Sequence, residues 1–185
     1  MKTEYRLAAA LKEMLAKVPL DSISVTALSD KCDVSRKTFY YHFHDIYDLL
    51  TLVFLSEKVD GILSAKTPTE VLDKIYGYYL KNNAFIDATI NSAGRDLFEE
   101  FVYNNCYQSF LRIINTNPNS KKISLGEKRQ IVRFYTAGYS SSIVFYLANY
   151  KNKSFLGLHN SLSFIGDDFL NKSVEELIDK KEITE

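Results

Sequence analysis

Residues 23–50 read ISVTALSDKCDVSRKTFYYHFHDIYDLL, and this stretch decides the fold. Ser24 is placed to cap one short helix that carries Ala27, Leu28 and Lys31. Ser35 is placed to cap another that runs to about Phe43, and Asp45 a third. Between the first two, Asp33 sits where a tight turn needs a residue at positive φ. Glycine takes that conformation at least cost, and Asp or Asn is the usual substitute. Val34, Phe39 and Phe43 are spaced to pack inward, with Ala27 and Leu28 as the matching face. Removing them leaves Arg36, Lys37, Thr38, Tyr40, Tyr41 and His42 on the outside of the second helix. That mixture of cations, hydroxyls, rings and an imidazole can donate to phosphates, read purine edges and touch thymine methyls. A solvated structural helix more often carries Glu and Ala. The pattern implies a helix-turn-helix whose second helix enters the DNA major groove.

Charge gives this only local support. The chain of 185 residues has 23 Lys and Arg against 23 Asp and Glu, a formal net charge of zero. Bulk attraction to nucleic acid is therefore weak. Between Lys31 and His44, however, Lys31, Arg36 and Lys37 face Asp33 alone, and two of the three histidines, His42 and His44, fall there. Moderate, salt-dependent affinity is expected.

Outward from this segment the pattern stays helical. Apolar residues recur at spacings of three and four, from a stripe of Leu7, Leu11, Met14 or Leu15, and Val18, stopped by Pro19. The fourth helix, capped by Asp45, carries Leu49, Leu50, Val53 and Phe54 inward and is expected to run to about Leu63. Thr67-Pro68-Thr69-Glu70 writes a helix start, followed by Val71, Leu72, Ile75, Tyr76 and Tyr79. A short apolar helix is expected at about Phe85 to Asn91, and Gly94 breaks the pattern. Long helices are expected from Arg95 to about Asn115 and, behind the capping box of Ser124 and Glu127, to about Tyr150. Residues 115–120 form a loop. A last helical region spans about Leu158 to Leu170, and Ser173 with Glu176 starts a short terminal piece. The expectation is an all-α chain of about nine helices: a three-helix DNA-binding domain over residues 1–46 and a larger helical body over residues 47–185.

The stretch Val34-Ser35-x-x-Thr38-Phe39-Tyr40-x-x-Phe43, with Ile23, Val25, Ala27, Leu28 and the Asp48-Leu49 start of the fourth helix, resembles the DNA-binding domain of the TetR family of bacterial transcriptional regulators. The resemblance covers residues 5 to 52. It implies that Ser24 or Thr26 contacts a phosphate and that Arg36 and Lys37 are the main base readers. It further implies that Ser35, Thr38, Tyr40, Tyr41 and His42 reach phosphates, a thymine methyl or a base. The family commonly has Gly where this chain has Asp33, and Lys at the first turn of the fourth helix where this chain has Ile46. His44 can partly replace that Lys only when protonated, so weaker DNA binding, tighter in acid, is expected.

The resemblance also implies a homodimer bound to a palindromic double-stranded operator, acting as a repressor released by a small effector. Phe134, Tyr135, Gly138, Ser142, Phe145, Phe164, Ile165 and Phe169 are candidates for the dimer seam, with packing within one chain as the other reading. Tyr76, Tyr79, Phe98, Phe101, Tyr103 and Tyr107 either line a cavity for an apolar or aromatic effector or fill a helical core. An adaptor of the same fold that binds DNA poorly alone is the alternative function.

Other classes have little to rest on. No apolar run approaches a membrane span, and Met1-Lys-Thr-Glu-Tyr-Arg has no secretory core, so a cytoplasmic location is expected. Cys32 and Cys106 have no ligand-like spacing, and His159 stands alone, so neither metal nor cofactor is expected. No nucleophile with a nearby base, Gly-rich phosphate loop or paired acids suggests an enzyme.

Overall fold

The computed structural model describes residues 2–184, and among them it is all helical. The α-helices are α1 (Thr3–Leu15), α2 (Val25–Lys31), α3 (Arg36–His42), α4 (Ile46–Ser56), α5 (Pro68–Ile90), α6 (Arg95–Thr116), α7 (Leu125–Asn149), α8 (Phe155–Leu162) and α9 (Phe169–Thr184). Short 3-10 turns join several of them. None of these helices is long and apolar enough to cross a membrane.

The helix starts follow local chemistry. Ser24, Ser35, Asp45, Ser124 and Ser154 each accept, through the side chain, a backbone N–H three residues on. This satisfies one of the donors that a helix N-terminus leaves unpaired. Glu127 closes the capping box by accepting the Ser124 N–H at 2.7 Å. At α5 the Thr67 hydroxyl accepts the Glu70 N–H at 3.2 Å. The Glu70 carboxylate reaches one residue further back than the expected box, to the Lys66 N–H at 2.8 Å.

Three expected boundaries move. α4 stops at Ser56, not near Leu63: Glu57 is already extended, and Gly61, at a φ of 69°, starts a separate turn that buries Ile62. The expected short helix at Phe85 is the second half of α5, which continues past an irregular Asn82 (φ −127°). Near the C-terminus the break falls at Gly166 (φ 75°), so α9 starts at Phe169 rather than at Ser173. Within α1 the buried stripe is Leu7, Leu11 and Leu15, while Val18 lies beyond the helix and is exposed.

Contacts group the chain into two compact units, cut differently from the expected boundary at residue 46. The first comprises residues 1–58 and 79–101, and the second residues 59–78 and 102–185. In the first, α1 packs along α4 and α2 packs against α1 and α3. Leu7, Leu11, Leu28, Phe39, Leu49 and Leu50 are fully buried there. Each such side chain contributes about 1.5–3 kcal/mol of transfer free energy. The Phe54 ring meets Phe85, Phe98 and Phe101 at centroid distances of 5.3, 6.0 and 5.5 Å. Lys12 lies over the Phe85 ring and pairs with Glu57 at 2.7 Å. Gly94 is required here, since a Cβ would stand 2.7 Å from the Leu50 methyl.

In the second unit α7 packs on α8 and α9. Phe110 meets Tyr139 and Phe169 edge-on at 5.2 and 5.5 Å. Three long-range polar ties fasten this core. Tyr139 donates its hydroxyl to the Pro68 carbonyl at 2.9 Å, and Tyr76 donates to Lys153 at 2.6 Å. The Thr69 N–H donates to the Asp167 carboxylate at 2.8 Å.

Candidate nucleic-acid interface

The α2–α3 pair is held together by its turn. Asp33 has a φ of 50°, the only non-glycine residue at positive φ among those described. The Val34 N–H returns to the Ser29 carbonyl at 3.1 Å, closing the turn. Behind it the Arg6 guanidinium donates to the Cys32 carbonyl, and the Cys32 thiol faces the Arg6 carbonyl at 3.7 Å. The start of α1 is thereby fastened to the end of α2. Burial pushes the Cys32 thiol up, with Arg6 and Lys31 opposing that shift.

α3 has one fully buried side chain, Phe39, and its C-cap residue Phe43 is also buried, with the two rings 5.7 Å apart. These two anchors fix which way the seven-residue helix faces. Arg36 and Lys37 in its first turn are exposed, as are Tyr40 at 51% and Tyr41 at 83%. Tyr41 meets only the edge of His42, at a centroid distance of 5.0 Å, so most of its ring is left to water. Ser24, Thr26, Ser35 and His44 are also exposed. Thr38 is half-buried, its hydroxyl 2.9 Å from that of Ser35.

Two members of the expected set are placed differently. Ala27, expected to pack inward beside Leu28, is exposed, and Leu28 alone carries that face with Ser29. His42, expected outward, is half-buried with Nδ1 3.6 Å from the Glu4 carboxylate, drawn toward α1. Where the family has a Lys, Ile46 is the first residue of α4. The neighbouring groups are acidic: Asp45 caps the helix, and Asp48 accepts the His44 N–H at 3.1 Å. Lys31, at the end of α2, pairs with Glu13 at 3.0 Å, which leaves Arg36 and Lys37 at the start of α3 as the main cations of this surface.

The other two expected sites fare unequally. On α7, Phe134 is 76% and Phe145 56% exposed, with Gly138 exposed and Ser142 half-buried between them. Nothing lies within 4 Å of where a Gly138 Cβ would stand. Spacings of four, four and three put them along one helical stripe. Beside it a groove of about 440 Å³ opens between Ser142, Phe145, Tyr150 and Ser161. Phe164 is 83% exposed and Ile165 half-buried in the turn after α8. Phe169 does not join this surface. It is 4% exposed and stacks on Tyr135 at 4.4 Å, so both rings serve the core of the second unit.

Of the six aromatics expected around a ligand, three fall in each unit. Tyr79, Phe98 and Phe101 fall in the first unit, Tyr76, Tyr103 and Tyr107 in the second. Phe98 is fully buried against Phe54 and Phe101, and Tyr103 and Tyr107 stack on each other at 6.1 Å. None of the six lines a cavity of about 220 Å³ that opens in the second unit between Leu72, Tyr139, His159 and Leu162. No group of acids, histidines and cysteines among the described residues is placed to hold a metal.

Comparison with known proteins adds to this. The family described as transcriptional regulator C-terminal region matches residues 66–154. No curated protein sequence matches the chain. Among solved structures, the dihydroxyacetone kinase operon activator DhaS is similar over 94% of this chain and 96% of its own. Its TM-score is 0.61 and its identity 19%.

Proposed function

We infer that this chain is a TetR-type transcriptional regulator, a homodimer that binds a palindromic DNA operator through α3. It works in the cytoplasm, where that DNA lies. The observation that carries this is the exposed face of Arg36, Lys37, Tyr40 and Tyr41 on a helix fixed from behind by Phe39 and Phe43. Arg36 and Lys37 read bases, Ser24, Thr26, Ser35 and Thr38 hold phosphates, and the two tyrosines reach the backbone or a thymine methyl. His44 adds a cation when protonated.

One α3 reads too few base pairs for useful specificity, so two are needed at half-sites a helical turn or a multiple apart. The α7 stripe of Phe134, Gly138, Ser142 and Phe145, with Phe164, supplies the seam. A specific interface buries about 800 Å² on each partner, and aromatic anchors favour such a core. Occupancy of the operator represses transcription, and a small effector relieves it by favouring a body conformation in which the half-site spacing is lost.

A second reading has its own support. The acidic start of α4 and the zero net charge weaken solitary DNA binding, and DhaS, of similar fold, is an operon activator. A partner-dependent activator fits these. Footprinting upstream of the protein's own gene at low salt separates the two. A protected palindrome with the chain alone supports the first reading; protection only with a second protein present supports the other, and protection in neither case defeats both.

A further inference from the structure

We propose that the 220 Å³ cavity of the second unit is a binding site for a small organic ammonium ion. It lies where the first turn of α5 meets the connection from α8 to α9. Gly166, at a φ of 75°, turns that connection so that the next residue crosses back to α5. The Asp167 carboxylate there accepts the Thr69 N–H across 98 residues of sequence. This fixes a negative charge, open to solvent on its outer side, at the cavity wall. A carboxylate offers about four acceptor sites, and the Thr69 N–H uses one.

The other polar groups are also acceptors in the main. Tyr139 gives its proton to the Pro68 carbonyl, so its oxygen faces the cavity with lone pairs only. Ser163 likewise donates to the Asn160 carbonyl at 3.0 Å. His159, half-buried, can accept through a neutral ring nitrogen. No lysine or arginine is among the lining residues. The Tyr139 phenol is held up chiefly by burial, with Cys106 and then the charge of Asp167 adding to that shift. The remaining walls, Leu72 and Leu162, are apolar and buried. An anion is repelled by such a lining, and a neutral alcohol gains nothing from the charge of the carboxylate. An ammonium head with a short hydrocarbon tail matches both the acceptors and the leucines.

The volume sets the size. A cavity of about 150 Å³ takes six heavy atoms as benzene, so about 220 Å³ suits roughly six to ten. The proposal bears on the effector half of the function above. It is tested without DNA, so its failure leaves the α3 reading untouched.

The test is an amide NMR titration of the full chain with butylammonium, 1-butanol and butyrate at constant ionic strength. Butylammonium is expected to give saturable shifts at the amides of Thr69, Ser163 and Gly166. 1-Butanol is expected to bind at least tenfold more weakly, and butyrate to leave these amides unmoved. Asp167→Asn keeps an oxygen for the Thr69 N–H while removing the charge, and should erase the preference for the ammonium ion. His159→Trp, at a half-buried lining position, should fill part of the cavity and weaken butylammonium binding with Asp167 intact. Equal binding of the alcohol and the ammonium ion by the parent chain overturns the proposal. So do unsaturable shifts, or a preference that survives Asp167→Asn. If Asp167→Asn fails to fold, the alcohol comparison and His159→Trp decide alone.

Discussion

Two surfaces of this protein leave large aromatic rings in water, and they do so differently. On α3, Tyr40 and Tyr41 stand among Arg36, Lys37 and hydroxyls. On α7, Phe134 and Phe145 stand beside Gly138 and Ser142, with no hydroxyl on the ring. The first surface suits a partner that is polar and negative, with flat apolar spots; duplex DNA is such a partner. The second suits a partner as apolar as itself, and a twofold copy supplies one by symmetry. Exposure alone does not separate the two; the companions of each ring do.

The sharpest way to break this contrast is to charge the apolar surface. Phe134→Asp with Phe145→Asp should leave a monomer of 21.2 kDa by sedimentation equilibrium. Operator affinity should fall by about a hundredfold or more, because two linked half-sites become two independent ones. A dimer that survives both changes places the seam elsewhere.

Stripping the cations from the polar surface comes next. Arg36→Ala and Lys37→Ala should each cost about 1–3 kcal/mol of operator binding, read by fluorescence anisotropy at fixed salt. Circular dichroism should be unchanged, since both side chains are exposed. If the affinity does not move, α3 is not the reader.

The turn that aims α3 can be tested by its backbone. Asp33→Val puts a β-branched residue at a φ of 50° and should destabilise the fold by about 1–2 kcal/mol in urea. Asp33→Gly should stay within about 1 kcal/mol of the parent. Similar losses for both would mean that the Asp33 side chain, not its backbone angle, matters.

The smallest effect concerns Glu127 at the head of α7. Hydrogen bonds from Lys181 and from Ser124 hold its carboxyl down, from 4.5 to about 2. A depressed folded-state value stabilises the protein above the unfolded value, and that contribution is lost as pH falls through the folded one. Glu127→Gln should therefore leave a smaller stability difference between pH 5 and pH 2.5 than the parent shows, by thermal melts at both. An unchanged difference would remove Glu127 from the acid response.

What the sequence disclosed follows the range of each interaction. Ser24, Ser35, Asp45 and Ser124 were legible as caps because each bonds a backbone group three residues away. Asp33 was legible because few residues tolerate its φ. The α3 face was legible by subtraction, once Phe39 and Phe43 were assigned inward. Long-range partners were not legible. Nothing local says that Asp167 caps α5, that Glu4 draws in His42, or that Phe169 belongs to Tyr135. The end of α4 was misplaced for the same reason. The run to Leu63 keeps an apolar pattern, and only the backbone at Gly61 shows that Ile62 is buried from a turn.

The division of labour within α3 bears on how such a protein changes over generations. Its anchoring and its outward chemistry are carried by disjoint sets of side chains, Phe39 and Phe43 on one hand and Arg36, Lys37, Tyr40 and Tyr41 on the other. Substitutions at exposed positions usually move stability by less than about 0.5 kcal/mol. If α3 is the reader proposed above, its target sequence can therefore be rewritten residue by residue while the scaffold stays intact, which lets a duplicated gene acquire a new address on the chromosome before it acquires a new shape.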